Sequence, residues 1–361
     1  DIPKALKILD EELVLFRDGQ GTVGLVGQHC AHRGASLEYG DIEEQGLRCP
    51  YHGWLFDVNG NCLEQPSEQR GKEFCAKVRH ISYPVKELGG LFFAYMGPNP
   101  STPPPLPNYS PLVDHGGIRQ IEPTRYFNYN WFNFYENSAD PVHVWILHGA
   151  SAYGDQSWGN RFFSTDDPPN FEPVDMPYGM KIVMSKNTGD SVIVDEMSLG
   201  FPSILQVGDT EFVHGKADPK KLMNSGSEFE HFMFITPNDD HHFMMFTVDY
   251  YTGPDPNFFT HLTEMRKREE PKENLKPYDK RPLMPFRGNV RLEDIVTQGT
   301  QNLLGERREH LGTSDRGVIM LRKMVLESIK AVAEGSDPKG LILKENSNGL
   351  VKLDSFVGIR G

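Results

Sequence analysis

Two short segments of the chain each carry one cysteine and one histidine: Cys30-Ala31-His32 and, 16 residues later, Cys49-Pro50-Tyr51-His52. Two thiolates and two imidazoles that share a site hold metal, so the fold is constrained to bring these two loops together. A single zinc ion suits such a set. A binuclear iron–sulfur cluster suits it too, with both cysteines on one iron and both histidines on the other. The spacing separates the two readings. Zinc fingers usually group two cysteines and then two histidines. Here each loop supplies one of each, as a binuclear cluster needs if each loop is to reach both metals. Gly34 and Gly53 follow the two pairs and let the backbone approach sulfide and offer N–H groups to it.

The other two cysteines, Cys62 and Cys75, lie outside both loops and are expected to be packing residues. His29 adjoins Cys30 without being part of the motif. Disulfides are not expected, because 361 residues bury a sufficient core unaided and no secretory signal opens the chain. The chain starts at Asp1 without methionine, as a trimmed N-terminus would. A net charge of −13 argues against nucleic acid or an anionic membrane as partner. The longest apolar runs fall far short of the roughly 20 residues of a membrane span. The expectation is a cytoplasmic protein, or one that docks a basic partner.

Residues 11–97 read as short strands, among them Leu13–Phe16, Val23–Val26, Trp54–Val58 and Leu91–Met96, with hairpin turns at Asp18–Gly21 and Asn59–Gly60. Gly19-Gln20-Gly21-Thr22-Val23-Gly24 fits the dinucleotide pattern G-x-G-x-x-G, but that motif must open a helix, and a strand-like run follows here. It is a hairpin turn. Pro98–Pro111 holds seven prolines in 14 residues and forms a stiff connector. It places one domain at 1–110 and a second at 112–361. In the second, Trp131–His148 reads as helical around Asp140–His148. Long alternating strands follow at Met180–Lys186, Ser191–Leu199, Phe229–Thr236 and His242–Tyr251. Helices are expected at His261–Glu270, Val290–Arg308 and Ser314–Glu334. In the last, Val318, Leu321, Val325, Ile329 and Val332 form a core stripe. Met265–Arg281 is a basic, solvated loop. The class is α+β.

The segment Glu136-Asn137-Ser138-Ala139-Asp140-Pro141-Val142-His143 continues to His148. Three positions put Asp140 and His143 on one helical face. Five do not: a straight helix turns His148 about 140° from His143. Both histidines can bind one ion only if the helix is bulged or ends near His148, and Gly149 supplies such an end.

Both loops, Cys30-Ala31-His32-Arg33-Gly34 and Cys49-Pro50-Tyr51-His52-Gly53-Trp54, match the two halves of the Rieske signature. The extra cysteines of respiratory Rieske proteins are absent from them. Glu136-Asn137-x2-Asp140-x2-His143-x4-His148 resembles the mononuclear iron motif of Rieske oxygenases. The chain thus resembles the oxygenase component of that family over most of its length. It is most similar to the phthalate dioxygenase-like and aromatic O-demethylase branch, whose post-ligand stretch Glu306–Asp315 also resembles.

The resemblance implies an antiparallel β Rieske domain followed by a helix-grip catalytic domain. It implies a [2Fe–2S] cluster on Cys30, His32, Cys49 and His52. It implies a mononuclear Fe(II) on His143, His148 and a distal carboxylate, completing a facial 2-His-1-carboxylate set. Asp294, in Arg291-Leu292-Glu293-Asp294-Ile295-Val296, is the candidate for that carboxylate; Glu293 beside it is the alternative and is expected to face solvent. Asn137 stands near the iron. The resemblance further implies trimers or paired trimers, in which Asp140 is expected to bridge His143 to His52 of a neighbouring copy and orient both imidazoles. Because no nicotinamide or flavin site is visible, electrons come from NAD(P)H through a separate reductase, with or without a ferredoxin. The branch favours aromatic acids and methoxylated aromatics, and its iron site supports cis-dihydroxylation, monohydroxylation and oxidative O-demethylation. Arg161, Lys181 and Lys216 could meet a carboxylate but read as surface charges.

Two other classes fit part of the chain. A Rieske-type electron carrier explains the first domain but not the second motif. A structural zinc protein explains the cysteines and histidines of the two loops alone. The purified protein is expected to be coloured and to release inorganic sulfide and iron on acid treatment; a colourless, zinc-loaded protein would reject the oxygenase reading.

Overall fold

The computed structural model describes residues 2–148, 169–187, 189, 192–208, 228–269, 290–341, 349–353 and 356–360. The chain divides into two compact units, Asp1–Pro107 and Asn108–Gly361.

In the first unit, β1 (Lys4–Ile8), β2 (Glu11–Arg17), β3 (Val23–Gly27) and β8 (Ser82–Tyr83) form one antiparallel sheet in the order β1-β2-β3-β8. A second consists of β4 (Asp41–Glu43), β5 (Gly46–Arg48), β6 (Leu55–Phe56) and β7 (Cys62–Glu64), and β9 (Val85–Leu88) pairs with β10 (Leu91–Ala94). Among the described residues of this unit the one α-helix, α1, is short (Gly71–Cys75). Asp18 shapes the β2–β3 turn by accepting from the N–H groups of Gln20 and Thr22, so the glycine-rich stretch is a hairpin turn. The core between the sheets gathers Val14, Phe16, Leu37, Leu47, Trp54 and Phe56 with all four cysteines. Burying each large apolar side chain here contributes about 1.5–3 kcal/mol. Cys62 and Cys75 are both buried and reduced, with sulfurs 3.5 Å apart. The Cys30–Gly34 loop leaves β3 and the Cys49–Gly53 loop joins β5 to β6.

The second unit opens with α2 (Ser110–Val113), β11 (Ile118–Ile121) and β12 (Arg125–Phe127), followed by α3 (Trp131–Asn137) and α4 (Pro141–Leu147). Long strands come next: β13 (Asn170–Met176), β14 (Gly179–Asn187), β15 (Val192–Gly200), β16 (Ile204–Gly208), β17 (Phe229–Asp239) and β18 (His242–Tyr251). Then follow α5 (Phe258–Glu269), α6 (Val290–Gly299), α7 (Arg316–Ala333) and β19 (Phe356–Arg360). The strands make one antiparallel sheet in the order β11-β18-β17-β16-β15-β14-β13, with β12 also on β18 and β19 on β15. Alternation decides the buried face. Met180, Ile182 and Met184 of β14, Met233 and Ile235 of β17, and Phe243 and Met245 of β18 pack against Phe132 and Tyr135 of α3 and Leu321 and Met324 of α7.

The helix expected around Asp140–His148 is present as α4, with α3 a separate helix before it, because Pro141 cannot continue α3 and instead starts α4. Two other helical expectations need correction. The helix expected over Val290–Arg308 stops at Gly299, where glycine and the hydroxyl of Thr300, bonded back to the Val296 carbonyl at 2.7 Å, weaken further propagation. On α7 the buried positions are Gly317, Val318, Leu321 and Met324, whereas Ile329 and Val332 are 61% and 59% exposed. Only the first half of that helix lies on the sheet cluster.

Gly317 sits where α7 meets the bend between α3 and α4, and a Cβ there would fall 2.1 Å from the Ala139 carbonyl oxygen. Only glycine permits this approach. Gly317→Ala is expected to cost about 1–3 kcal/mol through overpacking, read as a loss of roughly 2–4 °C in Tm per kcal/mol. An unchanged melting curve would show that the bend yields freely.

Candidate metal centres

The two loops of the first unit are built alike. The Cys30 N–H donates to the Ala35 carbonyl at 2.9 Å and the Gly34 N–H returns to the Cys30 carbonyl at 2.8 Å. In the second loop the Cys49 N–H donates to Trp54 at 2.8 Å and Gly53 returns to Cys49 at 3.0 Å. Each turn closes through a left-handed glycine, Gly34 at φ 77° and Gly53 at φ 75°. The loops set His32 and His52 edge to face with ring centroids 4.5 Å apart. Trp54 stacks flat on His32 at 4.4 Å, and Tyr51 flanks His52 at 3.8 Å. Both cysteines are buried. Burial, then the Cys49 sulfur beside it, pushes the Cys30 thiol up to about 11. His32 Nδ1 is buried without a hydrogen-bond partner. Two buried thiols and an orphaned imidazole nitrogen are a donor set that a metal cluster satisfies: it takes up the lone pair and holds the sulfurs as thiolates. His29 is engaged elsewhere, with Glu12 at 2.7 Å and the Gly34 carbonyl at 3.1 Å.

In the second unit, Asn130 caps α3 by accepting from the Phe132 N–H, and Asp140 caps α4 by accepting from the Val142 N–H at 3.0 Å. Leu147 is the last residue of α4, and His148 turns away as its C-cap. Gly149 lies outside the described residues. The histidine rings therefore converge despite their five-residue spacing, with centroids 5.3 Å apart at 84°. Asp294 comes from α6: its Oδ1 lies 3.2 Å from His148 Nε2 and 3.9 Å from His143 Nε2. Among the described residues, these three are the group whose donor atoms all approach within 4.8 Å, as one metal ion needs. His148 Nε2 is buried and lacks a hydrogen bond of good geometry, which leaves its lone pair for a metal. Asn137 Nδ2 lies 3.1 Å from His143 Nε2 and 3.5 Å from Asp294 Oδ1.

Glu293 is not turned to solvent. It is fully buried, and its Oε2 lies 2.8 Å from His148 Nδ1. An ionised carboxylate only accepts, so it fixes the proton on Nδ1 and aims Nε2 inward. The signal in sequence was its place beside Asp294, since neighbours about 100° apart on a helix can reach two sides of one ring. Burial lowers the affinity of His143 for a proton, partly offset by Asp294 and Asp140. Burial acts likewise on His148, but Asp294 and Glu293 outweigh it and its pKa rises. Burial also raises Asp140. It is the Asp140 main-chain carbonyl that meets His143 Nδ1, while its carboxylate serves as the α4 cap.

Salt bridges fix α3 against the rest of the site. Buried Glu136 is held by Arg307 and by Arg322, the latter at 2.8 Å, and Arg322 also meets Glu309 at 2.6 Å. Asn133 accepts from Arg307 and donates to the Gln298 carbonyl at 3.1 Å, linking α3 to α6. A polar cleft of about 420 Å³ opens here, lined in part by Asn137, Asp140, Arg308 and Asp315. Lys181 is not a surface charge: it is largely buried and paired with Glu196 at 3.2 Å. Arg161 and Lys216 lie outside the described residues.

Residues 1–84 match the Rieske [2Fe-2S] domain. Over 98% of its length the chain is 31% identical to the 5,5'-dehydrodivanillate O-demethylase oxygenase subunit of Sphingobium sp. (strain NBRC 103272 / SYK-6), covering 77% of that protein. It is 33% identical to the phenoxybenzoate dioxygenase subunit alpha of Ectopseudomonas oleovorans, over 98% of the chain and 83% of the relative. The chain belongs to the Rieske oxygenase family. As an oxygenase subunit it carries a [2Fe–2S] cluster and a mononuclear iron and takes electrons from a partner reductase. The electron-carrier alternative is set aside, since these relatives match across both units. The fold agrees: the crystal structure of dicamba monooxygenase bound to dicamba superposes with a TM-score of 0.66 at 18% identity, covering 92% of this chain and 94% of that one. Among the described residues no helix is long and apolar enough to cross a membrane.

Glu293→Ala in this Rieske oxygenase is expected to lower mononuclear iron affinity about 10–100-fold while leaving cluster absorbance unchanged. Iron retained after a graded chelator challenge reads the effect; wild-type retention would show that Glu293 has no part in orienting His148.

Proposed function

We propose that this Rieske oxygenase inserts oxygen from O2 into an aromatic acid, by cis-dihydroxylation or oxidative O-demethylation, with electrons from NAD(P)H through its reductase. The observation that carries the reading is the convergence of His143, His148 and Asp294 at one point. The names of both relatives, a dehydrodivanillate O-demethylase and a phenoxybenzoate dioxygenase, support the substrate class. In this reading Cys30, His32, Cys49 and His52 hold the cluster in a domain ending near residue 110. His143, His148 and Asp294 hold the iron in the domain that follows. When bound, the cluster supplies single electrons and the iron activates O2 beside the substrate.

The chain's own residues then have distinct tasks. Two histidines and one carboxylate leave coordination positions open for O2. Glu293 keeps His148 in one tautomer and one orientation. Asn137, within hydrogen-bond reach of both His143 and Asp294, steadies the exposed side of the site. Asp140 stands at the base of His143 and borders the polar cleft. That cleft supports a homotrimer in which Asp140 links His143 to the partner subunit's His52. A bridge of that kind needs the Asp140 carboxylate to face the cleft while its main chain holds His143.

Reduced protein exposed to O2 in a single turnover with methoxybenzoates and phenoxybenzoates is expected to yield an oxygenated product. Formaldehyde with a phenol marks O-demethylation, and a cis-diol without formaldehyde marks ring dioxygenation. Asp140→Asn is expected to keep both metals and the fold yet lose most turnover. Loss of iron in that variant would place Asp140 among the ligands instead.

A further inference from the structure

The helix-covered face of the large sheet carries a buried polar pair on its two central long strands, beside the apolar cluster. Register pairs Ile235 with Met245, Met233 with Thr247, and His231 with Asp249, so all six side chains share one face. Met233, Ile235 and Met245 belong to the cluster beneath α3 and α7. Phe229, two residues before His231, packs on Phe258 of α5 at 5.3 Å and lies parallel to the His231 ring at 6.2 Å. His231 and Asp249 therefore stand between the part of the face under the iron-bearing helix pair and the part under α5.

Asp249 is fully buried, and its Oδ1 lies 2.5 Å from His231 Nδ1. A carboxylate only accepts, so Nδ1 carries the proton and the tautomer is set. Nε2 then points away from Asp249, and among the described residues it makes no hydrogen bond. The side chain is still 19% exposed, so a small molecule can reach it. Thr247 Oγ1, buried on the same face, also has no hydrogen-bond partner. Buried polar groups are seldom left unmatched, and these two neighbouring positions suit a ligand group that accepts hydrogen bonds, one of them from the Thr247 hydroxyl.

We propose that His231, held by Asp249, binds the carboxylate of the aromatic substrate and sets the distance of its ring from the iron. The proposal rests on the aromatic-acid reading above. In this arrangement the incoming carboxylate accepts from Nε2–H of His231, while Nδ1–H keeps donating to Asp249 and holds the ring in place. Thr247 stands one residue pair closer to the strand region beneath α3 and offers a hydroxyl along the same path. The apolar residues Met233, Ile235 and Met245 then lie beside the aromatic ring rather than its acid group. The pair is a positioning device for substrate and touches no metal.

The test compares methoxybenzoates and phenoxybenzoates with their methyl esters in wild type and in His231→Gln, whose amide still donates to Asp249. If the single variant is unstable, His231→Gln/Asp249→Asn removes the buried charge as well. Loss of one charge-assisted hydrogen bond predicts a rise of about 10–100-fold in KM for the acids, little change for the esters, and unchanged cluster and iron content. A folded, metal-replete variant that lowers acids and esters equally, or neither, would overturn the role of His231 while leaving the acid reading intact. Wild type that oxidises only the esters, or that neither binds nor oxidises any acid by calorimetry and product analysis, would overturn the acid reading and this proposal together.

Discussion

Everything in the catalytic unit turns on where one short helix stops. His143 and His148 are five residues apart, and a continuing helix would point them about 140° from each other. Because α4 ends at Leu147, His148 swings back and both rings face Asp294. The start of α4 is fixed as firmly as its end. Pro141 occupies the first turn, where its missing N–H costs nothing, and Asp140 caps that turn. A seven-residue helix this short is marginal by itself, so neighbouring elements must hold it. Gly317 does so by letting α7 touch the Ala139 carbonyl, one residue before the cap.

The same economy appears in how charge is placed. Glu136 is one residue from Asn137 and two guanidinium groups enclose it, so its burial is compensated. Removing one partner would leave a buried charge uncompensated, which is far costlier than the pair is favourable. Through Asn133 and Arg307 this cluster also ties α3 to the end of α6. The two histidines and the aspartate come from helices that are distant in sequence, and this polar joint keeps them in one frame. In the first unit the equivalent task falls to two turns of one design, supported by Trp54 stacked on His32 and by Arg48, which donates to the Gly53 carbonyl at 2.5 Å.

Much of this was legible in the residues. Alternation over Met180–Lys186 marked a strand because one face packs against helices, whereas His242–Tyr251, read the same way as half-buried, is buried on both faces. The loop pairs Cys30/His32 and Cys49/His52 pointed to a shared site because few chemistries need that spacing, and the fold brings their histidine rings together. What stayed hidden depended on partners far along the chain. Glu293 looked like a solvent-facing neighbour of Asp294, since nothing local shows that His148 lies on its other side. Lys181 looked like a surface charge because Glu196 faces it only across the sheet. The stripe on α7 was read to Val332, but spacing reports which residues share a face, not how far the partner surface extends.

Glu293 and Asp294 are adjacent on α6, and between them they reach both nitrogens of a single imidazole. The ring is gripped at its two poles by one stretch of backbone. Each residue of a helix advances its neighbours by about 100° and 1.5 Å, so inserting or deleting a single residue ahead of this pair would carry both carboxylates off the ring at once. The first turns of α6 can therefore absorb changes of side chain far more readily than changes of length, and in this segment gaps rather than substitutions are what selection should exclude.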